Sequence, residues 1–357
     1  MRRTHIFFAV GLMWVLVIGA AADPVVSNVI ASQRKDGSGL VDVYYTLAGA
    51  TPDVRVELAF SNDNGNTWNV IPSPNTLTGG VGNGIANGMG RHIVWDAARD
   101  RAQVYWPQAR ARVRASALGQ SVSFMLPGGI ELEMVRIPAG TFLMGSNLDP
   151  GYSSTSEAPV HTVTIAEDFF LGRYEITQNQ WYAVMGRIPS RQEPSGLNYP
   201  VMNVSWNDAQ EFVTRLNALG IGTFRLPTEA EWEYACRAGS TTRWCFGDDE
   251  TLLTDYAWYS ANNTPSGPKV VGQKLPNAFG LYDMHGNVYE WVQDWYQSNY
   301  TGAPADGSAW EDPVGTYRML RGGAYTSSAV YCRSAYRDND GPGFRSNFYG
   351  LRVVRTR

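Results

Sequence analysis

The chain changes texture near its first third. Residues 25–32, 40–48, 54–60, 92–96 and 109–116 are short runs, mostly alternating or β-branched, separated by Gly, Asn and Pro clusters. Such runs predict an all-β sandwich of immunoglobulin or fibronectin type over residues 23–117. Residues 118–129, which end in Pro127-Gly128-Gly129, read as a linker into a second unit over residues 130–357. That unit has helical periods. Residues 177–186 open on a capping Thr177 and stop at Gly186. Residues 205–220 put Ala209, Phe212, Val213, Leu216 and Leu219 on one face, with Ser205 or Asn207 as cap and Gly220 as stop. Residues 228–239 open on a capping box of Thr228 and Glu231. Beyond Gly239 the chain is irregular and rich in Trp, Tyr, Asn and Gly, so the expected class is α+β.

The extreme N-terminus has a different pattern. Arg2 and Arg3 precede an apolar stretch at 7–20 and three alanines at 20–22. The stretch is shorter than a membrane span needs, and residues 1–22 read as a cleaved signal peptide. The mature protein is expected to be secreted, periplasmic or displayed at the cell surface, with no membrane span after cleavage. Losing the two arginines moves the net charge from −4 to −6. An acidic chain without a basic run is poorly suited to binding nucleic acid. With 37 Gly, 19 Pro and only 17% charged residues, a coiled coil is excluded.

One local motif stands out in the first unit. SNDNGNTW at residues 61–68 resembles the Asp-box hairpin of sialidases. Asp63 can accept turn amides, Gly65 supplies a positive φ and Trp68 packs back on the turn. A propeller would need repeated copies and there is one, so the motif reads as a hairpin staple.

The second unit carries many ordered motifs: MVRIPAGTFLMGS (134–146), RYEITQNQW (173–181), PVMNVSWNDAQEF (200–212), RLPTEAEWEYACRAG (225–239), NAFGLYDMHGNVYEW (277–291), LRGGAY (320–325), CRSAYR (332–337) and YGLRVVR (349–355). Together they resemble the formylglycine-generating enzyme family, also called the sulfatase-modifying-factor domain, over roughly residues 128–357. The resemblance implies a C-type-lectin-like fold with much irregular structure, and it reads the first of these motifs as an opening hairpin.

Catalytic members of that family use two cysteines, five residues apart, to hold copper(I) and activate oxygen. Counted from Gly322-Gly323, those places fall on Ser327 and Cys332. A hydroxyl cannot replace a thiolate toward copper(I), so copper is not expected. The resemblance also implies a Cys236–Cys332 disulfide, for which the chain-entropy figure is ~4.7 kcal/mol, leaving Cys245 unpaired. It further implies calcium in the GNVYEW loop, held by Asn287, Val288 and Glu290, oxygen donors that suit a hard cation. A second family calcium position falls on Trp258, which cannot ligate. Four scattered histidines (His5, His92, His161 and His285) give no H-x₃-H iron motif.

The tail at 324–349 alternates aromatics with small polar residues, the mix that binding loops use. It also resembles the variable region of retroelement-diversified lectin-fold proteins. Tyr325, Ser327, Tyr331, Asp338, Asn339 and Phe348 are the expected contacts for a protein or glycan ligand. The competing reading buries these aromatics around a core locked by Arg321, Arg333, Arg337 and Arg352. The expected function is non-catalytic binding at the cell surface; the alternative is a formylglycine-generating sulfatase activator or another oxygen-dependent metal oxidase.

Overall fold

The computed structural model describes residues 25–356 except 35, 37, 39, 49–53, 62–71, 73–75, 80–81, 84–87, 101–109, 118–120, 148–154, 191 and 193. The expected signal peptide and all but Ser61 of the SNDNGNTW motif lie outside these residues.

The first unit holds strands β1 (Val25–Gln33), β2 (Leu40–Ala48), β3 (Val54–Ser61), β4 (Leu77–Gly79), β5 (Gly82–Asn83), β6 (Gly88–Asp96) and β7 (Arg110–Ala117), with a four-residue helix α1 (Ala97–Asp100) after β6. They form two antiparallel sheets, ordered β1-β2-β6-β4 and β5-β3-β7. The alternation read from sequence sets which side chains meet. Val43, Tyr45 and Leu47 of β2, with Ile93 and Trp95 of β6, share one core with Val56, Leu58 and Phe60 of β3 and Val113 of β7.

The described part of the expected linker, residues 121–129, is a strand and a turn. Residues 121–126 form β8 (Ser121–Leu126), which pairs with β9 (Ile130–Ile137) across a turn containing Gly128 at φ 78°. Phe124 and Leu126 supply apolar contacts that a free linker would leave in water. A second correction concerns the expected opening hairpin. β9 and β10 (Gly140–Met144) do not pair. The Asp168 carboxylate accepts from the Ala139 N–H (2.7 Å) and from Arg136, which holds the bend between them. β10 pairs with β11 (His161–Ile165), while β9 joins a five-stranded sheet. Its order is β13-β18-β12-β9-β8, with β12 (Phe169–Gly172), β13 (Thr223–Arg225) and β18 (Val354–Thr356).

The longer helices form where their caps predict. α2 (Gln178–Met185) has a full capping box between Thr177 and Gln180 and ends on left-handed Gly186. α3 (Trp206–Ala218) is capped by Ser205, whose hydroxyl accepts from the Asp208 N–H. Its buried face is Ala209, Phe212, Val213 and Leu216; Leu219 lies past the last turn and is 36% exposed, contrary to expectation. α4 (Glu229–Arg237) carries the Thr228–Glu231 box, and all nine of its residues are buried. That burial follows from its place between β10 and a further four-stranded sheet, ordered β16-β15-β14-β17. The sheet comprises β14 (Tyr289–Trp295), β15 (Arg318–Arg321), β16 (Asp338–Asp340) and β17 (Tyr349–Gly350). A short α5 (Leu253–Tyr256) lies in the irregular stretch after α4. No helix among the described residues is long and apolar enough to cross a membrane.

Candidate functional site

β14 is interior to its sheet and is covered on both sides. Tyr289 and Trp291 join one apolar cluster and Val292 the other. Glu290, fully buried between them, requires compensation. Arg352 donates to both of its oxygens, from Nε at 2.6 Å and Nη2 at 2.7 Å, and Trp232 Nε1 donates to Oε2 at 2.7 Å. The remaining Arg352 hydrogens reach the carbonyls of Gly172 (3.0 Å) and Tyr282 (2.9 Å).

The other tail arginines are fixed in the same way. Arg321 donates to Glu233 Oε2 (2.6 Å) and to the carbonyls of Ser334 and Ala335. Arg337 forks onto both oxygens of Glu229 (2.7 and 2.9 Å), and Arg333 onto both oxygens of Glu157 (2.7 and 2.8 Å). Burial alone would push the Glu233 carboxyl up, yet Arg237 and Arg321 hold it below its usual range. Paired and fully hydrogen-bonded carboxylates of this kind fix where the intervening tail runs.

Between those anchors lie the predicted contact residues. Tyr325 is buried and meets Phe348 at 5.4 Å between ring centres. Ser327, 7% exposed, accepts from the Ala324 N–H (3.0 Å) and donates to Tyr289 Oη (3.4 Å). Asp338 and Asn339 sit half-buried on β16, opposite Leu320 and Met319 of β15. Tyr331 is 45% exposed and packs edge-on against Tyr336 (5.0 Å). The arginines thus lock a core, as the competing reading expects, while aromatic area of Tyr331 and Phe344 remains at the surface. Sequence reasoning missed Tyr289 and did not assign as contacts the tail aromatics Tyr336, Phe344 and Tyr349, which pack beside these residues. Tyr349 meets Tyr289 at 6.2 Å and Phe344 at 6.2 Å, and its hydroxyl donates to Asp340 Oδ2 at 2.9 Å. A separate cleft of about 900 Å³, lined by Arg225, Glu231, Gln293 and Asp306 among others, contains none of the predicted residues.

One expectation needs correction. The Cys236–Cys332 disulfide is not formed; all three cysteines are free. Cys236 packs with Trp232 and Met284, Cys332 with Trp244 and Ala329, and the His285 ring lies beside both residues. His285 Nδ1 donates to the Cys332 carbonyl (2.9 Å) and Nε2 accepts from the Cys245 N–H (3.1 Å). Burial pushes the Cys236 thiol up to about 12 and the Cys332 thiol higher still. Neither is a ready thiolate.

The Glu290 and Asn287 side chains of the expected calcium set are engaged within the chain. Both oxygens of Glu290 are held by Arg352, as described. The Asn287 amide donates to Glu175 Oε2 (2.7 Å), and its oxygen accepts from the Lys269 N–H (2.8 Å). Val288 donates its N–H to Glu175 Oε1 at 3.0 Å. These side chains serve a turn in which Asn287 adopts φ 66°, and Glu175, unforeseen from sequence, is its organiser. Burial, then Asp283 and Glu290, push the Glu175 carboxyl well up. Among the described residues no group of three or more His, Cys, Asp or Glu side chains is arranged to hold a metal ion. At the second calcium position, the Lys274 ammonium lies 3.9 Å from the Trp258 ring centre.

Comparison with known proteins gives a consistent picture. Residues 129–357 match the family described as sulfatase-modifying factor enzyme 1-like domain. Serine/threonine-protein kinase Pkn1 of Chlamydia trachomatis is 31% identical over 255 residues, 64% of this chain; the match spans 39% of that kinase, so this chain corresponds to about two fifths of it. Formylglycine-generating enzyme of Thermomonospora curvata is 29% identical, over 64% of this chain and 95% of the enzyme. Among solved structures, PvdO from Pseudomonas aeruginosa aligns with TM-score 0.61 and 32% identity, covering 68% of this chain and all of PvdO. Treponema denticola variable protein 1 aligns with TM-score 0.57 and 31% identity, covering 66% of this chain and 98% of that protein.

Proposed function

Given that this chain belongs, through residues 129–357, to the sulfatase-modifying factor enzyme 1-like (formylglycine-generating enzyme) family, we propose that it is a non-catalytic member that binds a ligand at the aromatic face around Tyr325, Ser327, Tyr331, Asp338, Asn339 and Phe348. One observation carries this reading. At the family's paired-thiol place stands Ser327, its hydroxyl engaged with Ala324 and Tyr289, and the companion Cys332 is fully buried with its thiol pushed up. Copper(I) requires accessible soft thiolates, and this pair does not fit it. The face instead offers rigid aromatic area beside carboxylate and amide groups, which suits recognition.

We read the N-terminal unit as an immunoglobulin-like spacer, because its described strands form two antiparallel sheets that share one apolar core. With the apolar leader, this supports an exported protein that presents the lectin-like face at the cell surface to a protein or glycan. The rival, a sulfatase activator or other metal oxidase, draws on the formylglycine-generating relatives. Incubation of the purified chain with copper(I) and a Cys-x-Pro-x-Arg peptide separates the two. No aldehyde product and no tight copper(I) binding are expected; copper-dependent oxidation of the peptide cysteine would overturn the binding reading. Restoring a thiol with Ser327→Cys tests whether this position is what was lost.

A further inference from the structure

The charges set into the aromatic face indicate what it selects. Asp338 and Asp340 are two apart on β16, so their side chains project from the same side of the strand. Asp340 accepts from the Tyr349 hydroxyl at 2.9 Å, and the Tyr349 ring meets that of Phe344, which is 53% exposed. Asp338 lies by the Tyr289 and Tyr336 rings, and Tyr336 carries the exposed Tyr331. Burial, with a smaller push from Asp340, raises the Asp338 carboxyl above its usual range, against hydrogen bonds from the Asn339 N–H and the Tyr289 hydroxyl that lower it.

The arginines near these residues in sequence are already committed. Arg333 is paired to Glu157, Arg337 to Glu229 and Arg345 to Asp208. Among the described residues, no Lys, Arg or His forms an ion pair with Asp338 or Asp340. The result is two half-buried carboxylates, each accepting from a backbone N–H and a tyrosine hydroxyl but without an ion-pair partner among the described residues, with the exposed Tyr331 and Phe344 rings one aromatic neighbour away. A small hydrated metal ion gains nothing from those rings. An organic cation gains from all parts at once: charge from the carboxylates, the negative ring faces for its head, and apolar area for its methylene stem.

Resting on the ligand-binding reading above, we propose that this face docks a basic protein segment, seating an Arg or Lys side chain between Tyr331 and Phe344 over the Asp338–Asp340 pair. Charge complementarity is the ground for that occupant: one acidic pair, unneutralised within the described residues, lies against otherwise apolar contact area.

The test uses the full chain with three blocked peptides, acetyl-GRGRG-amide, acetyl-GQGQG-amide and acetyl-GEGEG-amide, followed by NMR shift perturbation and calorimetry. The Arg peptide is expected to bind and to shift Tyr331 and Phe344. Its affinity should fall several-fold between 0.05 and 0.3 M salt. Asp340→Asn keeps an acceptor for the Tyr349 hydroxyl and so preserves the fold while removing one charge; it should weaken binding roughly tenfold. Tyr331→Ala should weaken it with no change in circular dichroism. If the Gln peptide binds as well as the Arg peptide at the same residues, the cation proposal falls and the ligand-binding reading stands. If Asp340→Asn leaves Arg-peptide binding unchanged, the proposal also falls. If no peptide perturbs Tyr331 or Phe344, the proposal fails for this face, and the Ser327→Cys and copper experiment separately judges the broader reading.

Discussion

The Nδ1 of His285 donates to the backbone carbonyl of Cys332 at 2.9 Å, from inside a ring of cysteine residues. Because Nε2 accepts from the Cys245 N–H, both nitrogens are satisfied in one tautomer of the neutral imidazole. Adding a proton would place a second N–H against the Cys245 donor.

That relationship sets a pH dependence. Burial lowers the His285 pKa from 6.5 to about 4, with the Cys332 carbonyl opposing the shift. The unfolded chain therefore takes up the proton first as pH falls. The stabilising contribution is complete above about pH 6.5 and is lost as pH approaches 4, on the order of 3 kcal/mol at most. Nitrogen-15 imidazole spectra should show the Nδ1–H tautomer persisting near pH 5. A His285 signal that titrates at 6.5 would remove this account of the buried ring.

The thiols make a second test. In denaturant without reductant, all three cysteines should react with Ellman's reagent, whereas a disulfide would leave one. In the native protein, Cys236 and Cys332 should react only at the rate of opening, because both are fully buried and protonated.

Two glycines offer a matched pair. Gly323 has φ +77° and Gly128 φ +78°, so backbone strain on replacement is alike. A Cβ at Gly128 meets nothing within 4 Å, but at Gly323 it would lie 2.8 Å from Cys332 Sγ and 2.9 Å from the Tyr331 carbonyl. Gly128→Ala should cost about 1 kcal/mol and Gly323→Ala about 3 kcal/mol or more, by chemical denaturation. Equal losses would mean that the Gly323 turn yields without cost.

The sequence disclosed what depends on near neighbours. Thr177, Ser205 and Thr228 announce α2, α3 and α4 because a cap and its N3 partner are three residues apart. The β2 and β3 cores follow from period-two alternation. Long-range electrostatics were not legible. Arg333 finds Glu157 across 176 residues and Arg352 finds Glu290 across 62, and no local rule selects those partners. A signal did exist: Glu229 and Glu233, one helical turn apart on the same face of α4, marked a face needing cations. β8 was missed because its alternation sits beside Pro127-Gly128-Gly129, which favours a turn or loop reading. In the tail, the aromatic content was plain, but which rings turn outward depends on the arginine anchors beneath them.

Those anchors divide labour along the last forty residues. Arg321, Arg333, Arg337 and Arg352 spend their hydrogen bonds inward, on Glu229, Glu233, Glu157, Glu290 and nearby carbonyls. Tyr331 and Phe344 take no part in those ion pairs and are 45% and 53% exposed. Substitutions at such outward positions leave the ion-paired frame beneath them untouched, so this surface can vary in sequence while the chain keeps its fold.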